Sequence, residues 1–191
     1  MNVPASKQRP RLSRSEGLIV AGLLLLLASA LGPGWWAWQR HQRLLMVRVD
    51  LRVLVDAVQR YHREYGSWPG SLGNPSEDVR FGRAISNAQV MNILRAEDGP
   101  GNPQHIANEQ QIVFMEVEPY EEGVSGLDTE GAFLDAWGTP YQMVFDANFD
   151  NACTIDQSIY GRLIGQSHAI WSCGPDRRSD TPDDLLTWTV H

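Results

Sequence analysis

Lysine is all but missing from this chain: Lys7 is the single one among 16 basic residues, which face 23 acidic ones. The formal net charge is −7, and the basic start (Lys7, Arg9, Arg11 and Arg14 against Glu16) leaves the rest more acidic still. Neutralising phosphates takes clustered Lys and Arg, so an acidic body excludes a nucleic-acid binder. Cysteine is scarce too. Cys153 and Cys173 are the only two, with no CxxC pair and no Cys/His spacing of a zinc site. The histidines His41, His62, His105, His168 and His191 form neither HxH nor HExxH, and His168, at the start of an apolar run, reads as a structural or surface residue and not a base. No GxSxG, Walker A or GxGxxG pattern occurs, so no catalytic constellation is legible and the chain does not read as an enzyme. Internal repeats and low-complexity tracts are absent as well.

What is present begins with Leu18–Trp38, a stretch without a formal charge. Roughly 20 apolar residues are needed to span a bilayer. This run has Leu23–Leu27 at its heart, Gly32-Pro33-Gly34 expected to kink or end the helix, and Trp35, Trp36 and Trp38 at the far side, where indole rings favour the membrane–water interface. The preceding basic residues predict a cytoplasmic N-terminus and an exported body. The chain therefore divides into a basic leader (1–17), an apolar membrane helix (18–38) and a globular domain (39–191). A basic start, an apolar run and Ala28-Ser29-Ala30 also have the layout of a cleaved secretory signal. Both readings put the domain outside the cytoplasm, where a Cys153–Cys173 disulfide is allowed. Two buried free thiols are the alternative.

Beyond Arg40 the pattern turns helical. Leu44, Val47, Leu51, Leu54, Val58, Tyr61 and Tyr65 recur at spacings of three and four, one apolar stripe on a helix. Gly66 and Trp68-Pro69 should stop it. Gly70–Gly82 reads as loop, Ala84–Arg95 as a short helix and Ile112–Val117 as a strand. Pro119–Glu130 is loop again, followed by strands over Tyr141–Phe145 and His168–Cys173. Glu116, Glu118, Glu121 and Glu122 form an acidic run that reads as a solvated face. Trp68, Trp137, Trp171 and Trp188 stand beside turns or strands as core anchors.

The last strand stops at Gly174-Pro175, after which Asp176, Asp180, Asp183 and Asp184 crowd into one loop, with Trp188 just beyond. Carboxylates so close repel one another unless a charge neutralises them. Ca²⁺ suits such a loop because it takes six to eight oxygens at flexible geometry. A second, weaker candidate is Asp146-Ala147-Asn148-Phe149-Asp150-Asn151, whose alternating oxygens resemble the start of a calcium loop. There Asn151 replaces the usual Gly, and Gln157 stands where a Glu is needed. A polar hairpin loop is the competing reading.

Three fragments, in order, resemble the type IV pilin-like proteins, and within them the major (G-type) pseudopilin of type II secretion. They are Tyr61-His62-Arg63-Glu64-Tyr65-Gly66-Ser67-Trp68-Pro69 at the helix end, Asp135-Ala136-Trp137-Gly138-Thr139-Pro140-Tyr141 at a turn, and Ser172-Cys173-Gly174-Pro175-Asp176 through Asp183-Asp184-Leu185-Leu186-Thr187-Trp188. The resemblance implies an α+β fold, a long N-terminal helix packed on a small antiparallel sheet with a C-terminal cation-binding loop. It also implies Ca²⁺ held by the side chains of Asp176 and Asp183 and by backbone carbonyls near Cys173 and Arg178, with Asp180 and Asp184 as alternates.

The implied role is a structural subunit or accessory of an inner-membrane secretion filament. Its partners would be other pseudopilin or pilin subunits and the inner-membrane secretion platform. The implied processing site is Gly17/Leu18. Two departures stand out: Ala136 replaces the family's Pro, and Gly22 stands where the family carries the Glu that meets a neighbouring subunit's N-terminus. The second departure favours an alternative, a non-polymerising membrane-tethered or secreted binding module on the same scaffold.

Overall fold

A computed structural model describes residues 14–71, 76–155 and 159–188, without the side chains of residues 14, 16, 17, 21 and 23–33. The leader residues 1–13, and Gln157 of the second candidate loop, lie outside the described residues. Contacts group the chain into two units, Met1–Gln42 and Arg43–His191.

The first helix, α1, runs over Arg14–Tyr65. It does not end at Gly32-Pro33-Gly34. In the first unit Leu18, Ile19, Val20, Trp35, Trp36 and Trp38 are exposed, and the rings of Trp35 and Trp38 lie 5.3 Å apart. Among the described residues no helix is long and apolar enough to cross a membrane. The side chains of residues 23–33, the heart of the expected span, are not among them.

In the second unit the stripe read from the sequence is the buried face of α1. Val47, Leu51, Leu54, Val58 and Tyr61 are buried, and Leu44 and Tyr65 pack against the same core. The helix stops as its chemistry dictates. Gly66 adopts φ +69°, a left-handed conformation that costs glycine nothing, and its N–H caps the His62 carbonyl at 2.9 Å.

The elements that follow are β1 (Val79–Phe81), α2 (Ala88–Leu94), a short 3₁₀ turn (Pro103–His105), β2 (Gly126–Leu127), β3 (Phe133–Leu134), β4 (Gln142–Phe145), β5 (Ala152–Ile155), β6 (Gly161–Ile164), β7 (His168–Ser172) and β8 (Leu185–Leu186). The main sheet is antiparallel in the order β1-β4-β7-β8, and β2–β3 and β5–β6 are separate two-stranded ribbons. The fold class is therefore α+β, with a long helix ahead of antiparallel sheets. Trp68 stacks on Phe145 at 5.7 Å and on His62 at 4.0 Å, which fixes the residues after α1 against β4.

Several sequence expectations need correction. Ile112–Val117 joins no ladder. Phe114 and Met115 are both buried, which breaks the in-out alternation of a strand, and both their N–H groups turn to the Leu94 carbonyl. The expected loop Gly70–Gly82 contains β1, and Pro119–Glu130 contains β2. The helix expected over Ala84–Arg95 is trimmed to α2, with Ile85 exposed. The β5–β6 ribbon and β8 had no counterpart in the reading. Of the two alternatives left open for Cys153 and Cys173, the structure has the pair of free, buried thiols. The Cys153 Sγ is 3.7 Å from the Val144 carbonyl, in a small core with Ile155, Ala169 and Trp171.

Candidate functional site

The C-terminal loop is built outward from a buried carboxylate. Asp135 is fully buried at the turn between β3 and β4. Its Oδ1 accepts the N–H groups of Trp137 and Thr139, both at 2.9 Å, and its Oδ2 accepts the Ser172 hydroxyl at 2.6 Å. Ser172 Oγ in turn accepts the Gly174 N–H at 3.1 Å. One carboxylate thus ties the Asp135–Tyr141 turn to the point where β7 becomes loop. Burial is the largest influence on Asp135 and pushes its pKa up, while the hydrogen bond from Ser172 is the chief opposing effect.

Gly174 is left-handed at φ +64° and presses on the far side of the loop, where a Cβ would collide with the Asp183 carbonyl. The Asp183 carboxylate closes the loop from both sides. Its Oδ2 accepts the Asp176 N–H at 3.1 Å, and its Oδ1 accepts the Thr181 hydroxyl at 2.7 Å. These bonds, the Thr181 one first, hold Asp183 below the usual carboxylate range. Asp176 Oδ1 accepts the Arg178 N–H at 2.8 Å, and the Arg178 carbonyl lies 3.2 Å from the Thr181 hydroxyl.

Asp184 faces the other way. Its Oδ2 accepts the Tyr160 hydroxyl at 2.6 Å and the Asp180 N–H at 2.8 Å, so it organises the loop from inside. Burial raises its pKa, and burial, with the Asp184 carboxylate as the next cause, pushes Tyr160 up as well. Tyr160, Trp171 and Trp188 pack edge-to-face beneath it, with centroids 5.5 to 6.5 Å apart. Trp171 Nε1 donates to Ser179 Oγ at 3.1 Å, and the Arg83 guanidinium donates to the Arg177 carbonyl at 3.2 Å. Arg177 (φ +59°) and Asp180 (φ +72°) take left-handed backbone to make the turn.

The donor set suits a hard cation in one specific way. Asp176 and Asp183 are bonded across the loop and keep spare carboxylate lone pairs, and the cradle at Gly174 brings the Asp183 carbonyl and carboxylate to one spot. Among the described residues no three His, Cys, Asp or Glu side chains gather as a metal-holding group. A cation here would therefore complete its shell with backbone carbonyls and water, as Ca²⁺ does.

At the second candidate loop, Asp146 is buried and its two oxygens accept the N–H groups of Asp150 (3.0 Å) and Asn151 (2.9 Å). Asn148 Oδ1 accepts the same Asp150 N–H, and the Asp150 carboxylate pairs with Arg162 at 2.8 Å. Asn151 takes the expected left-handed φ of +61°. These oxygens fold the hairpin loop.

Sequence reading placed Asp135 and Ser172 in separate fragments without the bond that joins them, and gave no role to the Thr181 and Tyr160 hydroxyls that the loop carboxylates accept. For Asp135 a signal existed: an Asp two and four residues ahead of the N–H groups it accepts is an Asx-type turn. Tyr160 carried none, since it reaches the loop only through the pairing of β5 with β6.

No protein-family model, no curated protein and no solved structure matches this chain.

Proposed function

We propose that this chain is a structural subunit, or accessory, of a type II secretion pseudopilus or a related pilin-like filament. Its N-terminal helix sits in the inner membrane, its domain lies outside the cytoplasm, and Ca²⁺ stabilises its C-terminal loop. The observation that carries the reading is the convergence of the three resembling fragments on one body. The helix end meets β4 through Trp68 and Phe145, and the Asp135 turn holds the C-terminal loop through Ser172. In that loop Asp176 and Asp183 would hold the cation, with the carbonyls of Cys173 and Arg178. The cation would supply charge neutralisation and a fixed loop shape, with no chemical step.

Melting the detergent-solubilised chain in excess EDTA, and again after Ca²⁺ is restored, tests the reading. A Ca²⁺-specific rise, absent when Mg²⁺ replaces it, is the expected result. An unchanged melt, once retained metal is excluded, would remove its most specific support.

The second reading, a tethered or secreted binding module that does not polymerise, is favoured by Gly22 at the position of the family's Glu. The mass of the mature N-terminus separates the two. Leu18 indicates prepilin processing, and Leu31 or an uncut chain favours the module.

A further inference from the structure

Two successive carboxylates of the C-terminal loop are bonded in different ways. Asp183 turns one oxygen to the Asp176 N–H and the other to the Thr181 hydroxyl. Asp184 Oδ2 accepts the Tyr160 hydroxyl at 2.6 Å, the Asp180 N–H at 2.8 Å and the Thr181 N–H at 3.4 Å. The two side chains nevertheless stand close together. The single Thr181 hydroxyl lies 2.7 Å from Asp183 Oδ1 and 3.3 Å from Asp184 Oδ1. What separates their roles is therefore the set of donors on Asp184 Oδ2, and not distance within the loop.

Of those three donors Tyr160 alone comes from outside the loop. It directly precedes β6, and the β5–β6 ribbon is anchored without the loop's help. The Thr154 N–H of β5 donates to Asp78 Oδ2 at 2.6 Å, and Cys153 and Ile155 lie in the small core with Trp171. The Tyr160 ring is fixed as well, packed edge-on against Trp171 at 6.5 Å and Trp188 at 5.5 Å. Packing therefore delivers the hydroxyl to Asp184. A hydroxyl on a carboxylate makes a short, charge-assisted bond, and it competes with a cation for the same lone pairs.

We infer that Tyr160 sets the strength of the cation site by withholding Asp184 from it. The inference rests on the Ca²⁺ reading of the loop. With Asp184 held, the cation meets two carboxylates, Asp176 and Asp183, and fills its shell with carbonyls and water. Ca²⁺ affinity follows the number of charged ligands, so two carboxylates put the site in the weak range of extracellular modules, about 10⁻⁴–10⁻³ M. A third carboxylate would keep the ion bound at all times, and the loop would no longer answer to the Ca²⁺ concentration around it. Tyr160 is thus a positioning residue, acting on the cation only through Asp184.

The test titrates the full chain in detergent with Ca²⁺ by calorimetry after EDTA treatment. Wild type is compared with Tyr160→Phe, Asp184→Asn, the two together, and Asp183→Ala. Tyr160→Phe keeps the ring between Trp171 and Trp188 and removes only the hydroxyl. Its Ca²⁺ affinity should rise about tenfold, while the metal-free chain melts at a lower temperature. A merely structural role for Tyr160 predicts the opposite, a looser loop and weaker binding. Asp184→Asn alone should cost far less affinity than Asp183→Ala, because it removes a nearby charge and no ligand. The double variant should match Asp184→Asn, since the gain needs the freed carboxylate. Circular dichroism of the metal-free variants checks the fold. Should Tyr160→Phe fail to fold, Asp184→Asn still decides: binding as damaged as in Asp183→Ala would put Asp184 in the wild-type shell and overturn the inference. Unchanged or weaker binding in a folded Tyr160→Phe, or a gain that survives Asp184→Asn, would overturn it too and leave the Ca²⁺ site standing. A wild type that takes up no Ca²⁺ would overturn both.

Discussion

The Ser172 hydroxyl donates a 2.6 Å hydrogen bond to Oδ2 of Asp135, a buried carboxylate 37 residues earlier in the chain. Through that bond a turn between two strands sets the starting point of a loop far along the sequence. Removing the hydroxyl strands one oxygen of a buried carboxylate and also the Gly174 N–H. Ser172→Ala should therefore cost about 1–3 kcal/mol of stability, and Asp135→Ala should cost more, since three donors lose their acceptor. Urea unfolding of the two variants measures this. A cost for Ser172→Ala near zero would mean that the bond does not hold the loop.

The loop should respond to metal. If Ca²⁺ binds only the folded chain, free ion at 100 times its dissociation constant adds about 2.7 kcal/mol. Asp183→Ala should abolish the thermal shift, and Asp176→Ala should reduce it. Asp184→Asn should lower the melting temperature with and without Ca²⁺, because Asp184 binds Tyr160 and the loop backbone. Differential scanning fluorimetry separates these outcomes, and equal Ca²⁺ shifts in Asp183→Ala and wild type would move the cation elsewhere.

Gly174→Ala asks for a methyl group where the Asp183 carbonyl stands, on a backbone that L-residues seldom adopt. The expected loss is about 1–3 kcal/mol, with a weakened Ca²⁺ response in the same melt.

How much of this was legible follows from how local each feature is. The buried face of α1 and its stop at Gly66 depend on neighbours three and four residues apart, so Val47, Leu51, Leu54 and Val58 fell where their spacing put them. β4 and β7 were visible because both run through the core as nearly unbroken apolar stretches. Ile112–Val117 misled because apolar residues flanked by charge mimic a strand, while tertiary packing buried two neighbours in succession. β8 is only two residues long and exists through its pairing with β7, which no local pattern announces. In the candidate loop the carboxylates themselves were plain. Their division of labour was not, because Asp184 turns inward only where Tyr160 arrives from a distant ribbon.

Both thiols should be chemically silent. Burial, helped by nearby carboxylates, pushes Cys153 and Cys173 up to about 12. The reactive thiolate is therefore scarce at neutral pH. Ellman's reagent should label neither in the native chain and both in guanidinium. Failure to label both after unfolding without reductant would reveal a bond between them.

Acid should weaken the fold through His168. Burial, with His62 as the lesser cause, holds its pKa below the usual 6.5. A depressed folded pKa means that the stabilisation is present above about 6.5 and is lost as pH falls through the folded value. His168→Gln should flatten that part of the stability profile between pH 7.5 and 5, measured by urea midpoints. An unaltered slope in the variant would assign the acid response to other groups.

The main sheet ends in β1, three residues long, and β8, two residues long. Each rim therefore offers few unpaired N–H and C=O groups to a neighbouring strand. Copies crowded together at high density are thereby discouraged from zipping their sheets into one another, an outcome that would be hard to reverse.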